Sequence, residues 1–466
     1  MPTPVPVLAI WLALCLALPA PPLAARTPPP VPEAAPVIPH VNRDQQQAAH
    51  WIARNRTPDK VQLDSAAIEA QNQRLLADDP SVHDLAALPA TMSGDEVQRL
   101  VSALSKPQTR TLYGIDGHAI GKPALDAMLA NTALAAIPAT VELRYGLATA
   151  RADLRTFPDA TRVFSRPGDT DIDRFQETAI FPGTPVAVLH TSRDRQWLFV
   201  ISPRYAAWMR ADHLAIGDAT RVLGYADKTP WLVVTGARVE TVFNPDLPAV
   251  SRLSLEMGTR VPLLADWPAD KPVNGQLPAA AHVIELPVRE ADGRLRLAPA
   301  LLPHSADVAT RYLPLTQRGL LQQSFKFLGE RYGWGHSYDA RDCSGFVSEV
   351  YAGFGVLLPR NTSDQGKSPA FNTLPVPADM PRKERLALMQ TLVPGDLVFI
   401  PGHVMMVIGH ENGLTYVIHD TPGVRFSDGE GFHALNGVAV TPLEPLRSGE
   451  DALYIDRIYS IQRIRP

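Results

Sequence analysis

At 466 residues, 45% of them hydrophobic and 20% charged, the chain is too long for one ordinary core and reads as a globular protein of roughly two to four domains. Its formal net charge of −4 is close to neutral for this size and argues against a nucleic-acid partner, which leaves a clustered basic footprint. The 45 prolines, about twice the usual share, mark many turns and linkers.

Val5 to Leu18 is an apolar run that ends at Pro19 and small residues up to Ala25. It predicts an export signal over 1–25, because a membrane span needs about 20 apolar residues. No Lys or Arg precedes the run; left uncleaved it would be an anchor, and once removed it leaves no transmembrane span. Residues 26–44 form a proline-rich, extended linker. From 45 to 145 apolar residues recur at helical intervals in QQQAAHWIARN, DSAAIEAQNQRLLADD, SGDEVQRLVSALS and KPALDAMLANTALAAI. Ser93 with Asp95 and Glu96, and Lys122-Pro123, read as helix starts. From 146 the period changes to that of strands, and TPVAVLHTS, QWLFVIS and AAWMRADHLA predict a small β-barrel over 146–218. A second β-rich stretch over 219–304 predicts another. Residues 305–466 are a helix-then-sheet domain that carries the chemistry.

Cys15 leaves with the signal, so the mature protein holds a single thiol, Cys343. An unpaired thiol in an oxidising compartment is either a buried apolar residue or a working one. Its surroundings favour the second reading. Asp342 is placed to cap a helix whose first turn holds Cys343, with Phe346, Val350 and Phe354 spaced to face a core. Helix-terminal N–H groups and the dipole favour thiolate there, which is the reactive form. Two strands, HVMMVIG and TYVIHD, carry His403 at the start of one and His419 at the end of the next. Adjacent antiparallel strands bring those ends together, so one ring can meet the thiol while the other orients it. His410, beside a turn, is expected at the surface. No phosphate loop and no Cys/His metal spacing appears, so no metal or organic cofactor is expected.

The segments RYGWGHSYDARDCSGF, LPRNTSDQ, PGDLVFI and GHVMMVIG with a following VIHD resemble the NlpC family of papain-like cell-wall peptidases over about 310 to 430. Upstream, RTFPDATRVF, DIDRFQETAIFPGTPVAVLHTSRDRQWLFV and SPRYAAWMRAD resemble the SH3-like barrel of its multidomain members. The resemblance implies an α+β fold: a papain-like catalytic domain preceded by a helical stabilising segment and two small SH3-like barrels. It implies hydrolysis of γ-D-glutamyl–diamino acid bonds, with Cys343 as nucleophile, His403 as base and His419 as the orienting third residue. The backbone N–H at Cys343 and the Tyr332 region would face the oxyanion. Asp342, Ser344 and Thr362, with Glu177 and Tyr205 of the first barrel, would hold the free amino terminus of an N-terminal L-Ala. Read without the resemblance, Glu177 is equally a solvated turn residue and Tyr205 a core aromatic.

Two departures stand out: the run from Tyr332 to Cys343 is one residue shorter than in many relatives, and the polar 369–385 stretch predicts a lid or a surface insertion. The expected partner is a peptidoglycan peptide, in the periplasm or cell envelope, and the sequence specifies no oligomeric state. Cleavage of stem peptides still attached to glycan, a wall-binding scaffold role for the barrels, and transfer from the same thiol are the alternatives.

Overall fold

The computed structural model describes residues 38–429, 431–449 and 452–465; the expected signal and most of the proline-rich linker lie outside them. Four helices lead the described chain: α1 (Ala48–Arg54), α2 (Ser65–Asp78), α3 (Gly94–Leu104) and α4 (Lys122–Asn131). Ser93 caps α3 by accepting the Glu96 N–H at 3.2 Å, and a proline opens α4. These helices do not form a bundle of their own. Trp51 of α1 and Leu75 of α2, each 1% exposed, are buried in the core of the C-terminal domain. Val97 and Val101 of α3 instead pack on Phe199 and Trp208 of the barrel that follows.

That barrel is an antiparallel seven-stranded sheet: β1 (Arg144–Ala148), β2 (Ala152–Arg155), β3 (Gln176–Ile180), β4 (Pro185–Thr191), β5 (Trp197–Ser202), β6 (Tyr205–Arg210) and β7 (Leu214–Gly217), in the order β7-β1-β4-β5-β6-β2-β3. Alternate residues such as Val186, Val188, Val200 and Ala207 fill its interior. The next β region packs β8 (Trp231–Val234), β9 (Ser254–Glu256), β10 (Arg260–Pro262) and the hairpin of β11 (Ala281–Arg289) and β12 (Leu295–Pro303) around Leu232, Val234, Ile284 and Leu286.

The C-terminal domain is built on a six-stranded antiparallel sheet. Its strands are β13 (Asn372–Pro375), β14 (Leu397–Ile400), β15 (His403–Glu411), β16 (Leu414–Thr421), β17 (Gly437–Pro442) and β18 (Ser460–Arg463), ordered β13-β18-β14-β15-β16-β17. Helices α5 (Gln317–Phe325) and α6 (Cys343–Ala352) share a core with Val404, Met406 and Ile408; α7 (Arg382–Met389) contributes Met389 to a second core with Met405 and Val407. β15 is therefore buried on both faces, which is why HVMMVIG reads as a continuous apolar run. Phe346, Val350 and Phe354 are all within 1% of complete burial, each stabilising by roughly 1.5–3 kcal/mol.

Most of 369–385 is not a lid. Asn372–Pro375 adds the edge strand of the sheet, and the buried Arg385 donates to the carbonyls of Met380 (2.9 Å), Ile455 (3.2 Å) and Ile458 (2.8 Å). No helix among the described residues is long and apolar enough to cross a membrane.

Candidate active site

Asp342 is the cap of α6, accepting the Gly345 N–H at 2.8 Å, so Cys343 is the first residue of that helix. Its sulfur lies 3.6 Å from the Thr362 hydroxyl, and the residue is only 6% exposed. The expected easing toward thiolate is not met in the free protein. Burial and the Asp342 carboxylate push the thiol up to about 12, against weaker opposing pulls from the Thr362 hydroxyl and the Val404 N–H. Desolvation acts on the lone charge and exceeds the favour of the helix end.

His403 opens β15 and His419 lies near the end of β16. The register sets Met406 opposite Ile418, which makes the two histidines diagonal neighbours on one face, within reach of long side chains. His403 Nε2 and His419 Nδ1 are 2.7 Å apart, and His419 Nε2 is 3.0 Å from the Thr441 hydroxyl on β17. Burial lowers His403 to about 4 and drives His419 well below the ordinary imidazole value, so both are neutral at neutral pH. The Tyr454 ring stands edge-on to His403 at 6.4 Å between centroids.

A second set of groups holds the loop in front of α6. Gly335, His336, Tyr338 and Asp339 all adopt positive φ, which costs a non-glycine residue roughly 1–2 kcal/mol each. Charged hydrogen bonds keep them there. His336 Nε2–H donates to Glu349 at 3.0 Å, while its Nδ1 accepts from Arg360 at 3.0 Å, a pairing that requires the neutral ring. Burial, then Arg360, depresses this histidine well below its usual value. Arg360 also donates to Asp342 at 2.8 Å and to the Ser344 hydroxyl at 2.9 Å. Arg341, 1% exposed, joins Glu349 (2.6 Å), Glu330 and Glu256. Glu256 pairs with Arg151 at 2.8 Å, and Arg151 donates on to the carbonyls of His336 and Ala340. The barrel and the second β region thus reach directly into the loop that ends at Cys343.

The structure brings Cys343, Thr362, Asp342, Ser344 and Tyr332 together, and His403 with His419. Tyr332 is buried, and its hydroxyl is held above the ordinary range by burial and by the neighbouring Cys343 and Asp342 charges. Glu177 and Tyr205 pair with each other through the carboxylate and the phenol, with Thr156 as Glu177's other partner. Tyr205 is near enough to Arg360 to feel its charge. Asp342, by contrast, already spends its oxygens on Arg360, Gly335 and Gly345. His410 is half-buried rather than at the surface, with Nε2–H donating to the Leu392 carbonyl at 2.7 Å.

Sequence reasoning passed over Arg360 and Asp420, although both lie inside the quoted motifs LPRNTSDQ and VIHD. His336 likewise lies inside the quoted RYGWGHSYDARDCSGF, whereas Tyr454 and Thr441 carry no local signal of their own. Among the described residues no group of three or more His, Cys, Asp or Glu is placed to hold a metal.

An α+β domain with a cysteine opening a helix and a histidine pair on the facing sheet, joined to an SH3-like barrel, defines a papain-like peptidase class. Residues 329–433 match the NlpC/P60 family and residues 162–210 the SH3 domain of SH3b1 type. The chain therefore carries an NlpC/P60 domain, a family whose members are cysteine peptidases acting on peptidoglycan, together with an SH3b domain. Both domains are cell-wall-related, which suits an envelope or extracellular protein. Among solved structures, the chain is similar to an NlpC/P60 endopeptidase from Photobacterium damselae subsp. piscicida, at 18% identity and a TM-score of 0.72 over 90% of this chain and 96% of that one. An NlpC/P60 family protein from Bacillus cereus ATCC 10987 aligns at 21% identity and a TM-score of 0.48, over 69% of this chain and 100% of that one. The peptidoglycan hydrolase RipB from Mycobacterium tuberculosis aligns at 24% identity and a TM-score of 0.21, over 32% of this chain and 65% of that one. No curated relative matches.

Proposed function

We propose that the chain is an exported, periplasmic or envelope-bound peptidase that hydrolyses the γ-D-glutamyl–diamino acid bond of wall peptides bearing a free N-terminal L-Ala. The observation that carries the reading is the file His403–His419–Thr441 together with a cysteine at a helix start whose thiol meets the backbone N–H of Val404, the residue after His403. For His403 to act as base, its Nε2–H must donate to His419 Nδ1, and His419 Nε2–H to the Thr441 oxygen. That tautomer leaves Nδ1 of His403 as the free lone pair. It takes the Cys343 proton as Sγ attacks the peptide carbonyl, so the two charges appear together and each offsets the other's burial. The oxyanion forms against the backbone N–H at Cys343 and the Tyr332 region. His403 then returns the proton to the departing diamino acid nitrogen, and water cleaves the thioester.

The free amino end is assigned to Glu177 and Tyr205, with Asp342, Ser344 and Thr362 completing the pocket. Glu177 is the carboxylate with acceptor capacity to spare, because Tyr205 and Thr156 engage it through one oxygen each. Asp342 contributes mainly by fixing Arg360 and the α6 cap.

Mass spectrometry of L-Ala-γ-D-Glu-meso-diaminopimelate after exposure to the mature chain tests this. Release of L-Ala-D-Glu from the free peptide, absent with Cys343→Ala and with the N-acetylmuramoyl form, supports every part of the reading. Cleavage of both forms removes the amino-end pocket and leaves an endopeptidase on attached stems. Cleavage by the Cys343→Ala chain removes the nucleophile.

A further inference from the structure

A cleft of about 300 Å³ runs between the SH3-like barrel, the second β region and the flank of α6; Tyr205 is one of its walls, but Cys343, His403 and His419 are not. Phe181, Pro203 and Leu358 give it an apolar lining. Its charged walls are Arg204, Arg260, Arg360 and Glu349. Two of these are already matched: Arg360 by Asp342, and Glu349 by Arg341. Arg204 and Arg260 make no ion pair or side-chain hydrogen bond with any described residue. Arg204 lies in the β5–β6 turn, and Arg260 is fixed with its guanidinium on the Trp231 ring, 4.3 Å from the centroid. The Arg260 Nε and the hydroxyl of Thr259, which is 7% exposed and lines the same cleft, are both buried without a partner.

Two half-buried cations and a buried hydroxyl without acceptors are costly unless something completes them. Burial beside Arg360 lowers Arg204 only to about 10, so it stays charged at neutral pH. A guanidinium fork suits a carboxylate or a phosphate. The apolar walls favour a monoanion with a hydrocarbon body over a heavily hydrated dianion. The volume is at the small end of ligand pockets, which start at roughly 300 Å³.

We propose that this cleft is a second ligand site, separate from the thiol, that takes a small carboxylate-bearing molecule with its anion against Arg204 and Arg260 and its apolar body on Phe181 and Leu358. The Thr259 hydroxyl donates to the same anion.

Isothermal titration of the full mature chain with N-acetyl-L-leucine tests it, with N-acetyl-L-leucine amide and inorganic phosphate as parallel arms. The acid is expected to bind saturably, and the amide at least about tenfold more weakly, the worth of a charge-assisted hydrogen bond. Arg204→Gln should weaken the acid by a similar factor while wall-peptide cleavage is retained. Thr259→Val serves as the second variant, weakening the acid by less, should Arg204→Gln not fold. Equal binding of acid and amide overturns the proposal, as does binding undiminished in both variants, no saturable heat from the acid, or saturation by phosphate in its place.

Discussion

His403 and His419 are sixteen positions apart and meet through one strand pairing, with Thr441 supplied by the next strand of the same sheet. His336 is held by a different means. Its loop is fixed by Glu349, Arg360 and Arg341 of its own domain, and through them by Glu256 and Arg151, 85 residues from Arg341 and 105 from Glu256 respectively. The sheet half rests on backbone register, which the apolar alternation enforces, since a one-residue slip would turn every side chain to the other face. The loop half rests on buried charges from three regions, which hold His336, Tyr338 and Asp339 at positive φ against their own strain. The thiol at Cys343 stands where the two halves meet, so damage to either should reach it by a different route.

Breaking the loop half carries the largest expected effect. Glu256 is 1% exposed among Arg341, Arg151 and Arg238, and Glu256→Gln keeps its shape while leaving three cations without their shared anion. Removing one partner of a buried pair costs about 3–5 kcal/mol. Urea unfolding should show that loss, together with reduced cleavage of wall peptide by the folded variant. A change in midpoint no larger than that of a surface substitution would mean the loop holds its form without the network.

The same contrast explains what is legible in the sequence. Cys343, His403 and His419 can be read from local pattern: a cap residue before an amphipathic helix, and strands whose apolar runs fix their ends. The α3 start at Ser93 is legible for the same reason. Arg151 and Glu256 are not, because a charged residue in a strand reads as solvated until the partner from another region is known. The thiol's environment also escapes the sequence. Helix position argues for an acidified cysteine, but burial depends on Tyr332, Thr362 and Val404 converging on it, and burial wins. The helices of 45–145 look like one unit by periodicity, yet Trp51 and Val97 belong to different cores.

Loosening the sheet half should cost less than breaking the loop. Thr441→Val removes the group that fixes the His419 tautomer, so part of the population would present His403 with Nδ1 protonated and unable to act as base. Misplacing a general base of this kind costs about tenfold to a hundredfold in kcat, at the low end of what such groups contribute. KM should stay near the parent value, and a variant with unchanged kcat would show that the third position is not needed. Thr441→Ser, which keeps the hydroxyl, should restore most of the rate.

Acid separates the halves again. His403 is lowered to about 4 by burial, so the acid limb of kcat/KM should lie near that value rather than at the 6.5 of a free imidazole. Stability should respond earlier. His336 and His419 are also depressed, so between pH 6.5 and their folded values the unfolded chain binds more protons than the folded one. Stability therefore falls as pH drops through that window. Denaturant midpoints measured between pH 7 and 5 check this, and a midpoint that is flat or rises on acidification would contradict it.

The smallest expected effect belongs to Asp420, which touches both halves. It follows His419 on β16, is completely buried, and neither of its carboxylate oxygens has a partner among the described residues. Burial, with Asp342 and Glu330 nearby, raises its pKa well above the usual carboxylate value, which favours the neutral acid. A raised acid stabilises the fold below its unfolded value near 3.8 and loses that contribution as pH rises toward the folded value. Asp420→Asn keeps the shape and has no proton to lose. Its stability relative to the parent should therefore improve as pH is raised above 3.8, while below that value the two proteins should differ by no more than a surface substitution does. Kinetics should follow the same sign, because an ionised Asp420 raises the cost of the Cys343 thiolate and asparagine cannot. A parent-to-variant difference that stays constant across the pH range would place a permanent charge at Asp420 and require a cation or ordered water to hold it.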